Sequence, residues 1–185
     1  MPSIGNSNTD WAINLVSGGD SKYYSGSNGT QLKAGAKFYN LAEKNSTVTL
    51  KAIWKPNTYT ITYNGNGATG GSTATSSHNY DTAKNLTANG FTKTGYTFAG
   101  WATSANGAVV YSNQQSVNNL TTTNGANITL YAKWTPNKYT VAFNANGGSG
   151  STTSQSFTYD VAQNLNNNGF SRTGYTFKGW STSAN

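Results

Sequence analysis

Thr94-Gly95-Tyr96-Thr97-Phe98-Ala99-Gly100-Trp101 returns 79 positions later as Thr173-Gly174-Tyr175-Thr176-Phe177-Lys178-Gly179-Trp180. Self-similarity at a fixed spacing of this size marks a repeat array. Alternate side chains of an extended chain share a face, so Tyr96 and Phe98 point together while Trp101 falls on the other side. An extra residue absorbed at Gly100 turns the tryptophan back, which makes Gly100 the expected site of a β-bulge. Tyr96, Phe98 and Trp101 put three large rings within six residues. Such a cluster can anchor a small interior, at about 1.5–3 kcal/mol per fully buried side chain.

The flanking segments repeat too. Thr49-Leu50-Lys51-Ala52-Ile53-Trp54-Lys55-Pro56-Asn57 recurs as Thr129-Leu130-Tyr131-Ala132-Lys133-Trp134-Thr135-Pro136-Asn137, offset by 80. Leu50, Ala52 and Trp54 alternate onto one face, as do Leu130, Ala132 and Trp134, and Pro56 and Pro136 end the two strands. A second alternating strand follows in each copy: Tyr59, Ile61, Tyr63 and Tyr139, Val141, Phe143. Glycine-rich loops come next, at 64–71 and 144–150. Tyr80-Asp81 and Tyr159-Asp160 then open segments that close on Asn89-Gly90 and Asn168-Gly169. An Asp at the start and Asn-Gly at the finish suit one short helical turn, capped at both ends. Phe91 and Phe170 re-enter the interior before the ring cluster. The expected structural core is therefore Trp54, Tyr59, Tyr63, Phe91, Tyr96, Phe98, Trp101 and Trp134, with Tyr139, Phe143, Phe170, Tyr175, Phe177 and Trp180 in the next copy. The fold class is mainly β, with at most one short helix per repeat. Near the N-terminus, Trp11-Ala12-Ile13-Asn14-Leu15-Val16 and Lys22-Tyr23-Tyr24 read as short strands loosely similar to 101–103 and 109–111.

Charged residues make up 9% of the 185, far below the usual quarter, and Asn, Thr, Ser and Gly take their place on the surface. With no cysteine, a disulfide frame and a thiolate metal site are excluded. The net charge of +7 reflects a shortage of acids, and the twelve bases are scattered singly. A nucleic-acid interface would need those bases gathered beside stacking rings, so none is expected. Weak attraction to anionic wall polymers is the milder implication. No segment is apolar enough to insert in a membrane, and the polar start carries no export signal; the chain reads as an excised piece, so missing export and anchoring signals say little about where its parent protein lives.

Tyr59-Thr60-Ile61-Thr62-Tyr63-Asn64, the Thr94 to Trp101 signature and Leu130-Tyr131-Ala132-Lys133-Trp134 together resemble the Listeria-Bacteroides repeat family, also called the internalin B-repeat, over roughly residues 30–185. The resemblance implies β-grasp-like units in tandem on secreted or wall-attached bacterial proteins, acting as stalk, spacer or adhesion module at the cell surface or cell wall. It supplies no catalytic residues. It also sets the phase: 1–56 hold a divergent segment and the closing half of a repeat, 57–136 a complete repeat, and 137–185 the opening half of the next. Residues 107–185 also make one whole period, which gives the alternative division 1–106 and 107–185 and lets the two halves complete each other within a chain or head to tail. Partners implied are other copies of the repeat, and a host or wall glycan or protein.

Chemistry is sparse. Gly65-Asn66-Gly67-Ala68-Thr69-Gly70 spells a dinucleotide pattern, but no helix follows it and the next copy has Ala145 in place of Gly65, so a turn needing positive φ explains the glycines. The titratable supply is Asp10, Asp20, Glu43, Asp81, Asp160 and His78. The two repeated aspartates read as caps, and His78 reads as a lone exposed histidine, since Phe157 replaces it in the next copy. The expectation is no enzyme, no cofactor and no metal, the loop 64–67 offering carbonyls without carboxylates. An isopeptide bond at Glu43, Lys44 and Asn45 is disfavoured because adjacent residues of a strand face opposite ways. Asn-x-Ser/Thr sequences at Asn28, Asn45, Asn85, Asn119 and Asn127 follow from composition. Tyrosines outside the repeated core, Tyr23, Tyr24, Tyr39 and Tyr111, are the candidates for facing a glycan.

Overall fold

The computed structural model describes residues 10–13, 31–33, 47 and 50–183, in two compact units that divide after Asn57. Within the first unit, β1 (Asp10–Ile13), β2 (Gln31–Lys33) and β3 (Leu50–Ile53) form an antiparallel sheet in the order β2-β1-β3. Trp11 stands opposite Ala52 on one side and Leu32 on the other.

The second unit opens with β4 (Thr58–Asn64), β5 (Gly70–Gly71), β6 (Ser76–Asn79), β7 (Lys84–Asn85), β8 (Phe91–Thr92), β9 (Tyr96–Ala102), β10 (Ser116–Val117) and β11 (Ala126–Pro136). Four of these make a mixed sheet in the order β6-β4-β11-β9, with β4 and β11 parallel at its centre and antiparallel strands at both edges. Parallel neighbours need a long crossover. Here the crossover is extended chain folded into two small ribbons, β5 with β8 and β7 with β10. The described residues contain no helix. The capped helical turn expected after Asp81 is corrected on this point: Asp81 sits at φ +58°, outside the extended region that an N-cap adopts. It serves instead as the third residue of a turn in which Thr82 N donates to the Asn79 carbonyl. Leu86 N then donates to the Gln115 carbonyl, which commits the segment to the β7/β10 ribbon.

Alternation along β4 sends Tyr59, Ile61 and Tyr63 inward, where they meet Leu130 and Ala132 of β11 and Trp101 of β9. Leu86 and Val117 from the β7/β10 ribbon cover them, and Phe91, Phe98, Tyr111, Ile128 and Trp134 pack around the margin. The bulge lies where strand parity placed it. Lys133 pairs with Gly100 but Trp134 pairs with Phe98, so Ala99 is the additional residue on β9 and Trp101 is returned to full burial. Gly100 sits at φ +146°, and a Cβ there would stand 2.5 Å from Val109 Cγ1 and 2.7 Å from the Tyr111 carbonyl oxygen. Trp101 lies opposite Ala132 and bridges to Tyr111, the same pairing that Trp11 makes with Ala52 and Leu32 in the first unit.

The next copy contributes β12 (Lys138–Val141), β13 (Ser149–Gly150), β14 (Gln155–Thr158) and β15 (Phe170–Ser171). Their pairings repeat those of the first copy: Tyr139 opposite Phe157 as Tyr59 is opposite His78, and Gly150 opposite Phe170 as Gly71 is opposite Phe91. Residues 175–181, equivalent to β9, form no strand, and among the described residues none takes beside them the ladder place that β11 takes beside β9. With no such strand beside them, Tyr139, Tyr175 and Phe177 lie on the surface, against their expected place in the interior. Phe143, Phe170 and Trp180 are half-buried. Trp54 is also corrected, being 75% exposed. Its counterpart Trp134 is held by Phe98 and by a hydrogen bond from Nε1 to the Gly65 carbonyl, contacts that strand alternation alone does not supply.

His78 needs the opposite correction. It is 1% exposed, stacked on Tyr59 at 5.4 Å, with Nε2 2.9 Å from Ser76 Oγ. Phe157 stacks on Tyr139 in the same way at 5.5 Å, so the position asks for a flat ring more than for a base. Burial lowers the histidine pKa from its usual value, and the nearby Lys84 charge lowers it further.

Candidate functional site: the joint between copies

One residue, Asn137, separates the last position of β11 from the first of β12, so any contact between the copies must form around it. Pro136 lies opposite Tyr96 at the end of the β9/β11 ladder and brings the Gly95-Tyr96-Thr97 turn beside Asn137. Asn137 N donates to the Gly95 carbonyl at 2.8 Å, and Thr97 Oγ1 lies 2.6 Å from Asn137 Oδ1 as its donor. On the far side, Tyr159 N donates to the Asn137 carbonyl at 2.8 Å. One asparagine thus bonds to both copies through three groups.

The tyrosines complete the contact. Tyr159 packs edge-on against Tyr96 with centroids 5.8 Å apart, a favoured aromatic geometry. Gly95, at φ +75°, leaves the space for it: a Cβ there would fall 2.3 Å from the Tyr159 ring. Tyr96 OH donates to Asp160 Oδ2 at 3.0 Å, and Lys93 Nζ stands 4.2 Å from the Tyr96 ring centroid. The hydrogen bond to Asp160 raises the Tyr96 pKa above its usual value, helped by desolvation and by the carboxylate charge.

The repeated aspartates therefore do different things. Asp160 accepts from the tyrosine of the preceding copy, whereas Asp81 N donates to Asn119 Oδ1 and Asp81 Oδ1 accepts from Asn119 Nδ2. Sequence reasoning missed the joint because its partners lie 40 and 64 residues apart, although the recurrence of Tyr-Asp beside the recurrence of Gly-Tyr was its available signal. The loop that mimics a dinucleotide motif is a turn: Asn66 and Gly67 have positive φ, and Asn66 Nδ2 donates to the carbonyls of Ala105 and Ala132. Among the glycan-facing candidates, Tyr111 is half-buried and bridged to Trp101, while Tyr23, Tyr24 and Tyr39 lie outside the described residues, as do Glu43, Lys44 and Asn45. Among the described residues no three His, Cys, Asp or Glu side chains gather as a metal site.

The profile of the Listeria-Bacteroides repeat domain matches residues 59–133 and 139–185, with Asn137 in the gap between the two matches. The chain belongs to the Listeria-Bacteroides repeat family. Within that family's unit, the first match runs from the start of β4 almost to the end of β11, and the second covers the opening part of another copy. A curated relative from Evansella cellulosilytica, named "Putative Gly-rich membrane protein", is 34% identical over 103 residues. The match takes in 55% of this chain and 12% of that relative, so the chain spans a small part of the longer protein. No solved structure matches significantly. Among the described residues no helix is long and apolar enough to cross a membrane.

Proposed function

We propose that this chain is a non-catalytic module of a bacterial cell surface, a stalk or spacer that holds an adhesive or other domain away from the wall. The observation that carries the reading is the one-residue link between copies with bonded contacts on both sides of it, an arrangement suited to transmitting position rather than to turnover. Family membership and a Gly-rich membrane protein as relative support a place at the surface. The sheet order, with first and last strands parallel at the centre, supports a β-grasp-like unit whose crossover is extended instead of helical. Head-to-tail pairing of the closing part 11–56 with an opening part 137–185 belongs to the same reading. It would have to displace β1, because Trp11 already occupies the place opposite Ala52 that Trp180 would take.

The reading is tested by tethering a reporter epitope to a bacterial wall through one, two or four copies of residues 58–136. Access of a large antibody to the epitope should rise with copy number. Access independent of copy number would refute the spacer, and specific hits on a glycan array would favour a binding module instead.

A further inference from the structure

Resting on the spacer reading and deepening it, we infer that each Gly-Tyr-Thr turn is a preformed receiver for the linker asparagine and Tyr-Asp turn of the copy that follows. Successive copies then lock at a fixed orientation. The chain holds the receiver both with and without a guest. Gly95-Tyr96-Thr97 is occupied by Asn137, Tyr159 and Asp160, whereas an added Cβ at Gly174 would meet no atom within 4 Å and Tyr175 is 68% exposed. Yet the two receivers have one shape. Gly95 and Gly174 lie at φ +75° and +79°, and the cation of Lys93 or Arg172 stands over its tyrosine at 4.2 or 4.1 Å.

The incoming side is equally set in advance. Asp81 and Asp160 hold φ +58° and +57° although their carboxylates have different partners. A receiver that keeps its shape without a guest, and a Tyr-Asp turn that keeps its shape with either carboxylate partner, lose little freedom on meeting, which favours one orientation over a loose tether. The partner that Gly174-Tyr175-Thr176 fits is therefore another copy of this repeat, presenting an Asn, Tyr and Asp at the places of 137, 159 and 160. In such an array the joints supply the nearest-neighbour coupling between units.

Because the chain has no cysteine, Ala88→Cys and Asn167→Cys, exposed and equivalent positions in the two copies, can carry a pair of spin labels in the full chain. Dipolar EPR should give a narrow, single-peaked distance distribution. Tyr96→Phe, which keeps the ring and removes the hydroxyl, and Gly95→Ala should each broaden it. Gly174→Ala, with the same backbone strain and no facing ring, should leave it unchanged. A broad distribution in the parent labelled chain, a distribution still narrow in both Gly95→Ala and Tyr96→Phe, or equal broadening from Gly174→Ala would overturn the inference. Near-UV circular dichroism confirms that each variant retains its packed rings. A broad distribution alongside antibody access that rises with copy number removes the lock and leaves the spacer. The reverse pair of results removes the spacer and leaves the lock.

Discussion

The two copies build the same ring cluster and differ in whether water reaches it. Trp101 stands 4.8 Å from Tyr63 and 4.9 Å from Phe98, and Trp180 stands 4.6 Å from Phe143 and 4.9 Å from Phe177. Edge-on contacts from Phe91 and Phe170 repeat as well. Yet Trp101 and Tyr63 are buried while Tyr175 and Phe177 are open, and the residues equivalent to β9 lose their strand. Local chain geometry is therefore set by the turns and glycines of the opening part. Dryness depends on the closing strand β11, whose Leu130 and Ala132 complete the interior.

The largest test of that contrast uses one substitution in two places. Leu86 is 2% exposed and its equivalent Leu165 is 46% exposed. Leu86→Ala should cost about 2–5 kcal/mol as a buried cavity, and Leu165→Ala should stay within about 0.5 kcal/mol, both read from urea unfolding. Equal effects would mean that the second copy is sealed in solution. Next in size are the bulge glycines. Gly100 and Gly179 share φ near +150°, but an added Cβ meets Val109 and the Tyr111 carbonyl at Gly100 and nothing within 4 Å at Gly179. Gly100→Ala should therefore lower stability by about 1–3 kcal/mol more than Gly179→Ala.

A smaller effect separates His78 from Phe157. The buried histidine has a lowered pKa, so the unfolded chain takes up its proton first as the medium is acidified. Its contribution is fully present above the ordinary value of 6.5 and is lost as pH falls from there through the lowered one. His78→Phe should flatten this part of the stability profile, measured by thermal melts across the acid range. For Tyr96 the sign is reversed: its raised pKa means that the joint is intact below the ordinary value of 10.0 and loosens as pH rises through the raised one. The spin-label distance distribution should broaden there, and a distribution unchanged at high pH would deny the hydroxyl a part in the joint. The smallest expected effect is at the cations. Lys93→Ala or Arg172→Ala should cost at most about 1 kcal/mol each, as exposed cation–π contacts.

What could be read in advance was whatever repeats locally. The recurrence of eight residues revealed the repeat, alternation marked the inward Tyr59, Ile61 and Tyr63, and the parity break before Trp101 located the bulge. Features that depend on distant partners were hidden. Asp81 looks like a helix cap until Asn119 and the β7/β10 ribbon are seen, and Trp54 looks like Trp134 until the latter's bond to the distant Gly65 carbonyl is seen. His78 was legible in principle, since Phe157 in the equivalent position marks a place that prefers an apolar ring.

The parallel pairing of β4 with β11 has a mechanical corollary. A chain that enters a copy at Thr58 and leaves at Pro136 passes tension to two neighbouring strands running the same way, so traction pulls them past each other along their length. Every paired position from Tyr59 opposite Ala126 to Asn64 opposite Tyr131 then bears load at once, instead of parting one rung at a time.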